Sequence, residues 1–153
     1  MLSENSCRDA GEVADLMTPK PMTVPPETPV GEVWRIMTER RFRHMPVVID
    51  GGELAGIVTQ RDLLTATQAS DRRIDFEDDR PISELMNRKV DTVKPECCAA
   101  EAARHMLRTK RSCLPVIDET GVLIGILTEA DFMRLSTRGV PPCSCGGVNV
   151  SGS

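Results

Sequence analysis

Gly56-Ile57-Val58-Thr59-Gln60-Arg61-Asp62 returns later in the chain as Gly125-Ile126-Leu127-Thr128-Glu129-Ala130-Asp131. The spacing between the copies is 69 residues. At that offset residues 15–64 align with 84–133 without a gap. The matches run through Leu16-Met17 with Leu85-Met86, Thr23-Val24 with Thr92-Val93, and Pro46-Val47 with Pro115-Val116. Two copies of one small unit therefore fill most of the chain. A unit of that size buries too little surface to stand alone, so the two are expected to share a core around a pseudo-two-fold axis.

Each copy reads as strand, helix, strand, strand, helix. Met22-Thr23-Val24 is a short extended piece. Thr28 is read as an N-cap with Pro29 at the first helical position. Val30, Val33, Trp34 and Met37 follow at i, i+3, i+4 and i+7, the spacing of one helical face. Ala99, Ala102, Ala103 and Met106 repeat that face. His44–Ile49 is a strand, Gly51-Gly52 the turn and Leu54–Val58 its partner. Thr59 opens the last helix. The domains are then 13–69 for the first repeat and 82–138 for the second. Residues 70–81 are a charged linker, and 139–153, rich in Gly, Pro and Ser, form a tail expected to be mobile.

Composition narrows the function. The chain has 153 residues and a net charge of −4, with three Phe, one Trp and no Tyr. That balance argues against a duplex-binding surface or a base-stacking platform, so nucleic acid is not the expected partner. No apolar run approaches the roughly 18 residues of a membrane span. The first residues lack a signal peptide's pattern, and a cytoplasmic protein is expected. Six cysteines are present without a C-x-x-C pair, which fits reduced thiols. Cys143-x-Cys145 in the tail is half of a four-ligand zinc site, the rest of which Cys7 or a partner chain would have to supply, and no metal site is expected. No Walker loop, H-E-x-x-H helix or nucleophile–base pairing occurs, so no catalytic residues are expected.

The Thr-x-x-Asp pattern fits two roles. In one it is a capping box that satisfies free N–H groups at the helix start. In the other the helix N-terminus seats a phosphate and the carboxylate accepts a ribose diol. Gly56 and Gly125 serve either close approach of a ligand or packing.

Leu-Met-Thr-Pro (16–19), Thr-Val-x-Pro (92–95, and similarly 23–26), Arg-His-Met-Pro-Val-Val (43–48) and Gly-Ile-Val-Thr-x-x-Asp (56–62) together resemble cystathionine-β-synthase (CBS) domains. The resemblance covers about residues 13–136, and the tandem is similar to a stand-alone Bateman module. It implies an α/β (α+β) fold of two βαββα repeats packed sheet to sheet. It also implies a homodimer, in which a second pair closes the helical faces that carry Leu16, Met17 and their repeats, and AMP, ADP or ATP as a regulatory ligand in two clefts, with no other cofactor required. By the same resemblance, the cleft of Thr128, Ala130 and Asp131 is completed by Thr18, Met22, Phe42, Arg43 and His44. The cleft of Thr59, Arg61 and Asp62 takes Asn87, Asp91, Arg111 and Ser112. His44 has a second reading as a structural imidazole, and His105 reads as packing or surface. Because Asp91 brings a charge where the other copy has Met22, the Asp131 cleft is expected to bind better.

The expected function is a non-catalytic, energy-sensing regulatory module that signals to an unidentified target protein. S-adenosylmethionine is the competing ligand. A cysteine-based metal or redox module and a nucleic-acid-binding CBS protein are the competing functions.

Overall fold

The computed structural model describes residues 11–69 and 77–137, with the side chains of 67–69 and 135–137 outside that description. Cys7, Cys143, Cys145, most of the linker and the tail also lie outside it.

The two copies form matching units. Helix α1 (Val13–Leu16) leads into β1 (Thr18–Pro19). Helix α2 (Val30–Arg40), strands β2 (His44–Val48) and β3 (Leu54–Thr59), and helix α3 (Gln60–Ala69) complete the first copy. A short 3-10 turn (Ile82–Glu84) opens the second copy. It is followed by α4 (Ala99–Thr109), β4 (Cys113–Ile117), β5 (Leu123–Thr128) and α5 (Glu129–Thr137). The architecture is α+β, as the family resemblance implied.

The apolar faces behave as their spacing dictates. Val30, Val33 and Met37 of α2 are buried against Met45, Val47 and Val58 of the β2–β3 hairpin. Ala102 and Met106 of α4 are buried against Leu114, Val116 and Leu127 of β4–β5. Ile57, Cys113 and Ile126 form a third buried group that joins the two sheets. The hairpin turns use Gly51, Gly52 and Gly121 at φ 90°, 88° and 89°, where a side chain would be strained. Leu123 N–H donates to Gly52 O at 3.0 Å and Leu54 N–H to Gly121 O at 3.4 Å, a reciprocal pair about the pseudo-two-fold axis.

Each opening segment crosses to the other copy. Strand β1 pairs antiparallel with β5, Thr18 opposite Ile126, so the sheet order is β1-β5-β4. Conversely Asn87 bridges Ile57 of β3, with N–H···O distances of 2.8 and 3.0 Å in the two directions. The cores follow the backbone: Val13 is buried with the second copy, while Ile82 and Met86 are buried with the first. This exchange corrects two expectations. Among the described residues, the only pairing of the Met22–Val24 stretch is a single parallel bridge from Val24 to Val47. Leu16 and Met17 pack on the second copy's core and do not present an open face to another pair.

The exchange also settles the role of the two motif glycines. A Cβ on Gly56 would lie 2.8 Å from Asn87 O and 2.9 Å from Met86 Sδ. One on Gly125 would meet Met17 and, at 3.2 Å, Thr18 O. Both glycines admit the incoming segment, not a ligand. Gly56→Ala is therefore expected to cost about 1–3 kcal/mol through overpacking. Chemical denaturation of the variant checks this, and an unchanged midpoint contradicts it.

Thr28 does not cap α2. Pro29 occupies the cap position, and Thr28 makes no side-chain cap bond. The free N–H groups of Val30 and Gly31 donate instead to Arg80 O at 2.7 Å and Asp78 O at 2.9 Å. The end of the linker thus closes the helix start, held by the Arg80–Asp78 ion pair at 2.7 Å.

Candidate functional site

The strand ends of both copies converge on one side of the joined sheets. Between them lies a single cavity of about 1010 Å³, lined by residues of both repeats. Its size sits at the top of the roughly 300–1,000 Å³ range of small-molecule sites. The two expected clefts therefore run together.

Most of the residues expected from the sequence line this cavity. Thr18, Phe42, Arg43, His44, Thr128 and Ala130 are there, as are Thr59, Arg61, Asp62, Asn87, Asp91, Arg111 and Ser112. Met22 and Asp131 are not. Lys20 turns the chain at φ 49° after β1, and Met22 is 39% exposed. Asp131 is buried, with its side chain at 0% exposure.

The two aspartates differ in what engages them. Asp62 forms the full capping box: Thr59 N–H donates to Asp62 Oδ2 at 2.9 Å, and Asp62 N–H donates to Thr59 Oγ1 at 3.1 Å. Its Oδ1 has no hydrogen-bond partner among the described residues, and the residue lines the cavity. Asp131 has both oxygens taken. Thr128 N–H reaches Oδ2 at 2.8 Å, Thr18 Oγ1 donates to Oδ1 at 3.1 Å, and Arg134 forms an ion pair with Oδ1.

Asp91 carries less free charge than its position implied. His105 Nε2 lies 3.1 Å and Arg111 Nε 3.7 Å from its Oδ2. His105 is thus a partner of a cavity residue, not merely packing or surface. On the opposite rim stands Glu129, which replaces Gln60 of the first copy.

His44 ties the copies together, its Nε2 lying 2.9 Å from Ser112 Oγ. Burial holds its pKa below the ordinary 6.5, helped by Arg43 and opposed by Asp62. A histidine with a depressed native pKa takes up a proton more readily when unfolded. Stability then falls as pH drops through about 6.5 toward the native pKa, and is constant above. Thermal melts from pH 7.5 to 5 are expected to show this slope, reduced in His44→Gln. An equal slope in both proteins contradicts it.

Sequence reasoning missed Arg41, Lys110, Gln60, Glu129 and the apolar floor of Ile57, Val90 and Ile126. The repeat itself held the signal. Arg41 matches Lys110, Gln60 matches Glu129 and Ile57 matches Ile126 at the 69-residue offset. Among the described residues no cluster of His, Cys, Asp and Glu is suited to a metal ion, and no helix is long and apolar enough to cross a membrane.

The chain belongs to the CBS domain family, whose model matches residues 13–69 and 82–138. Among solved structures, AcuB of Vibrio cholerae, assigned to acetoin utilization, is 34% identical with a TM-score of 0.75, covering 84% of this chain and 91% of that one. CBSX2 in complex with AMP is 29% identical with a TM-score of 0.72, covering 83% of this chain and 96% of that one. A homoserine O-acetyltransferase from Methanococcoides burtonii is 35% identical over 123 residues, which is 80% of this chain but 24% of the enzyme. The chain thus spans about a quarter of the length of that curated relative.

Proposed function

We propose that the chain is a non-catalytic regulatory module that takes an adenine nucleotide in the joined cleft and signals its occupancy to a partner protein. The observation that carries this reading is the lining. Arg41, Arg43, Arg61, Lys110 and Arg111 face Asp62, Asp91 and Glu129, five cations against three carboxylates, in a chain of net charge −4. That excess favours an anionic ligand. Ile57, Val90 and Ile126 supply an apolar floor for a base, and the Asp62 carboxylate is open to a ribose. AMP in the related CBSX2 structure supports the same class of ligand. Arg43, Arg61 and Arg111 are the phosphate contacts in this reading, with Ser112 a hydroxyl donor.

Heat release and mass spectrometry of the purified protein test the proposal. AMP, ADP or ATP is expected in the supernatant, or on incubation of stripped protein with a mixed nucleotide pool. Selective retention of S-adenosylmethionine changes the ligand, because its sulfonium is cationic and would not need the arginines. Retention of no adenosine compound overturns the reading.

The module is further proposed to act as a homodimer. Leu64 and Met133, matched by the repeat, are 49% and 69% exposed on α3 and α5. A two-fold-related second copy would cover such a self-matching face. Light scattering at micromolar concentration is expected to give the dimer mass, and a monomer contradicts this assignment.

A further inference from the structure

We propose that a second, smaller cavity binds a free α-amino acid with an apolar side chain. This does not depend on the nucleotide reading above.

The cavity holds about 210 Å³ and lies between the start of β3 and the segment that carries Arg88, Val90 and Thr92. At about 30 Å³ per water in the liquid, that is room for about seven water-sized groups, the scale of an amino acid and too little for a nucleotide. It opens because the two copies differ here. In the first crossing β1 stays paired with β5, and Lys20 N–H donates to Ile124 O at 3.2 Å. The matching Lys89 N–H donates instead to Asn87 Oδ1 at 3.0 Å. Among the described residues, the segment beyond Asn87 makes no further bridge to β3, and the Ala55 carbonyl takes no bond from it. Ala55 also stands where the second copy has the larger Ile124.

The charges are peculiar to this side as well. Glu53 matches Val122 and Arg88 matches Pro19 at the 69-residue offset, so the repeated fold requires neither. Both line the cavity, yet neither forms an ion pair with the other or with any described residue. An α-amino acid carries the complement of both. Its ammonium suits the Glu53 carboxylate and the Ala55 carbonyl, and its carboxylate suits the Arg88 guanidinium and the Thr92 hydroxyl. Leu54, Val90 and Ile117 supply an apolar wall for its side chain. A simple amine or a simple acid engages only one of the two charges.

Backbone amide NMR of the unaltered chain, titrated with leucine, methionine and valine, tests this. At least one is expected to shift Leu54, Ala55, Thr92 and Gly121 saturably, with a dissociation constant on the order of 0.1–1 mM. The amide of that amino acid lacks the carboxylate, and its 2-oxo acid lacks the ammonium. Each is expected to bind at least about tenfold more weakly than the amino acid, and Glu53→Gln or Arg88→Gln to cost the amino acid as much. Glu53 and Arg88 are exposed, so the thermal midpoint of either variant is expected to hold. Any one of four results overturns the inference: no saturable shift with all three up to about 20 mM, shifts centred on the larger cleft, analogues that bind as well as the amino acid, or unchanged affinity in either variant.

Discussion

Asp62→Ala is expected to weaken adenine-nucleotide binding by about 2–3 kcal/mol, roughly 30- to 150-fold, with only a modest loss of stability. The carboxylate lines the cavity and keeps Oδ1 open while Oδ2 holds the Thr59 N–H at 2.9 Å. An ionised acceptor shared by two ribose hydroxyls makes charge-assisted bonds, which alanine removes altogether. Loss of the capping contact costs about 0.5–2 kcal/mol of stability. Asp131→Ala is expected to divide its effects the other way. Its carboxylate is buried and holds Thr128 N–H, the Thr18 hydroxyl and Arg134. Removing it strips partners from all three, and about 2–3 kcal/mol of stability should go with them. Titration calorimetry and denaturation of both variants check the pair. Unchanged affinity in a folded Asp62→Ala protein would leave that aspartate a cap and nothing more.

The second large effect concerns the exchanged segments. Ile82→Ala is expected to destabilise the protein by about 2–5 kcal/mol. Ile82 is fully buried among Val24, Val30, Val33 and Met37, residues of the other repeat. Its N–H donates to Thr28 O at 2.8 Å, so the side chain has little freedom to close the cavity left behind. Guanidinium unfolding followed by circular dichroism measures the change. A loss below about 1 kcal/mol, the range of a surface site, would contradict the exchanged packing.

Much of this fold can be read from the residues alone. The faces of α2 and α4 follow from apolar residues at helical spacing, and the hairpin turn from Gly51-Gly52. The exchange cannot be read in that way. Leu16-Met17 and Leu85-Met86 are apolar in both copies, and nothing in their pattern says which core receives them. The start of α2 was misread because its N–H partners, Asp78 O and Arg80 O, lie some fifty residues away, beyond the reach of local capping rules.

The site shows the same division. Thr-x-x-Asp marks the helix starts wherever it occurs, and both aspartates do close a strand-to-helix turn. Their accessibility is decided by neighbours that the motif does not contain. Arg134 and Thr18 cover Asp131, while no such pair covers Asp62 among the described residues. Asp91 was read as repulsive on charge alone. Arg111 Nε lies 3.7 Å from it, and His105 Nε2 stands at hydrogen-bond distance, 3.1 Å.

Calorimetric titration of AMP and ATP into the unaltered chain is the most direct test of the central claim. Saturable binding is expected with a dissociation constant on the order of micromolar, competitive between the two nucleotides. No saturable heat for either nucleotide up to about millimolar concentration, in protein shown to be folded and free of bound ligand, would contradict it.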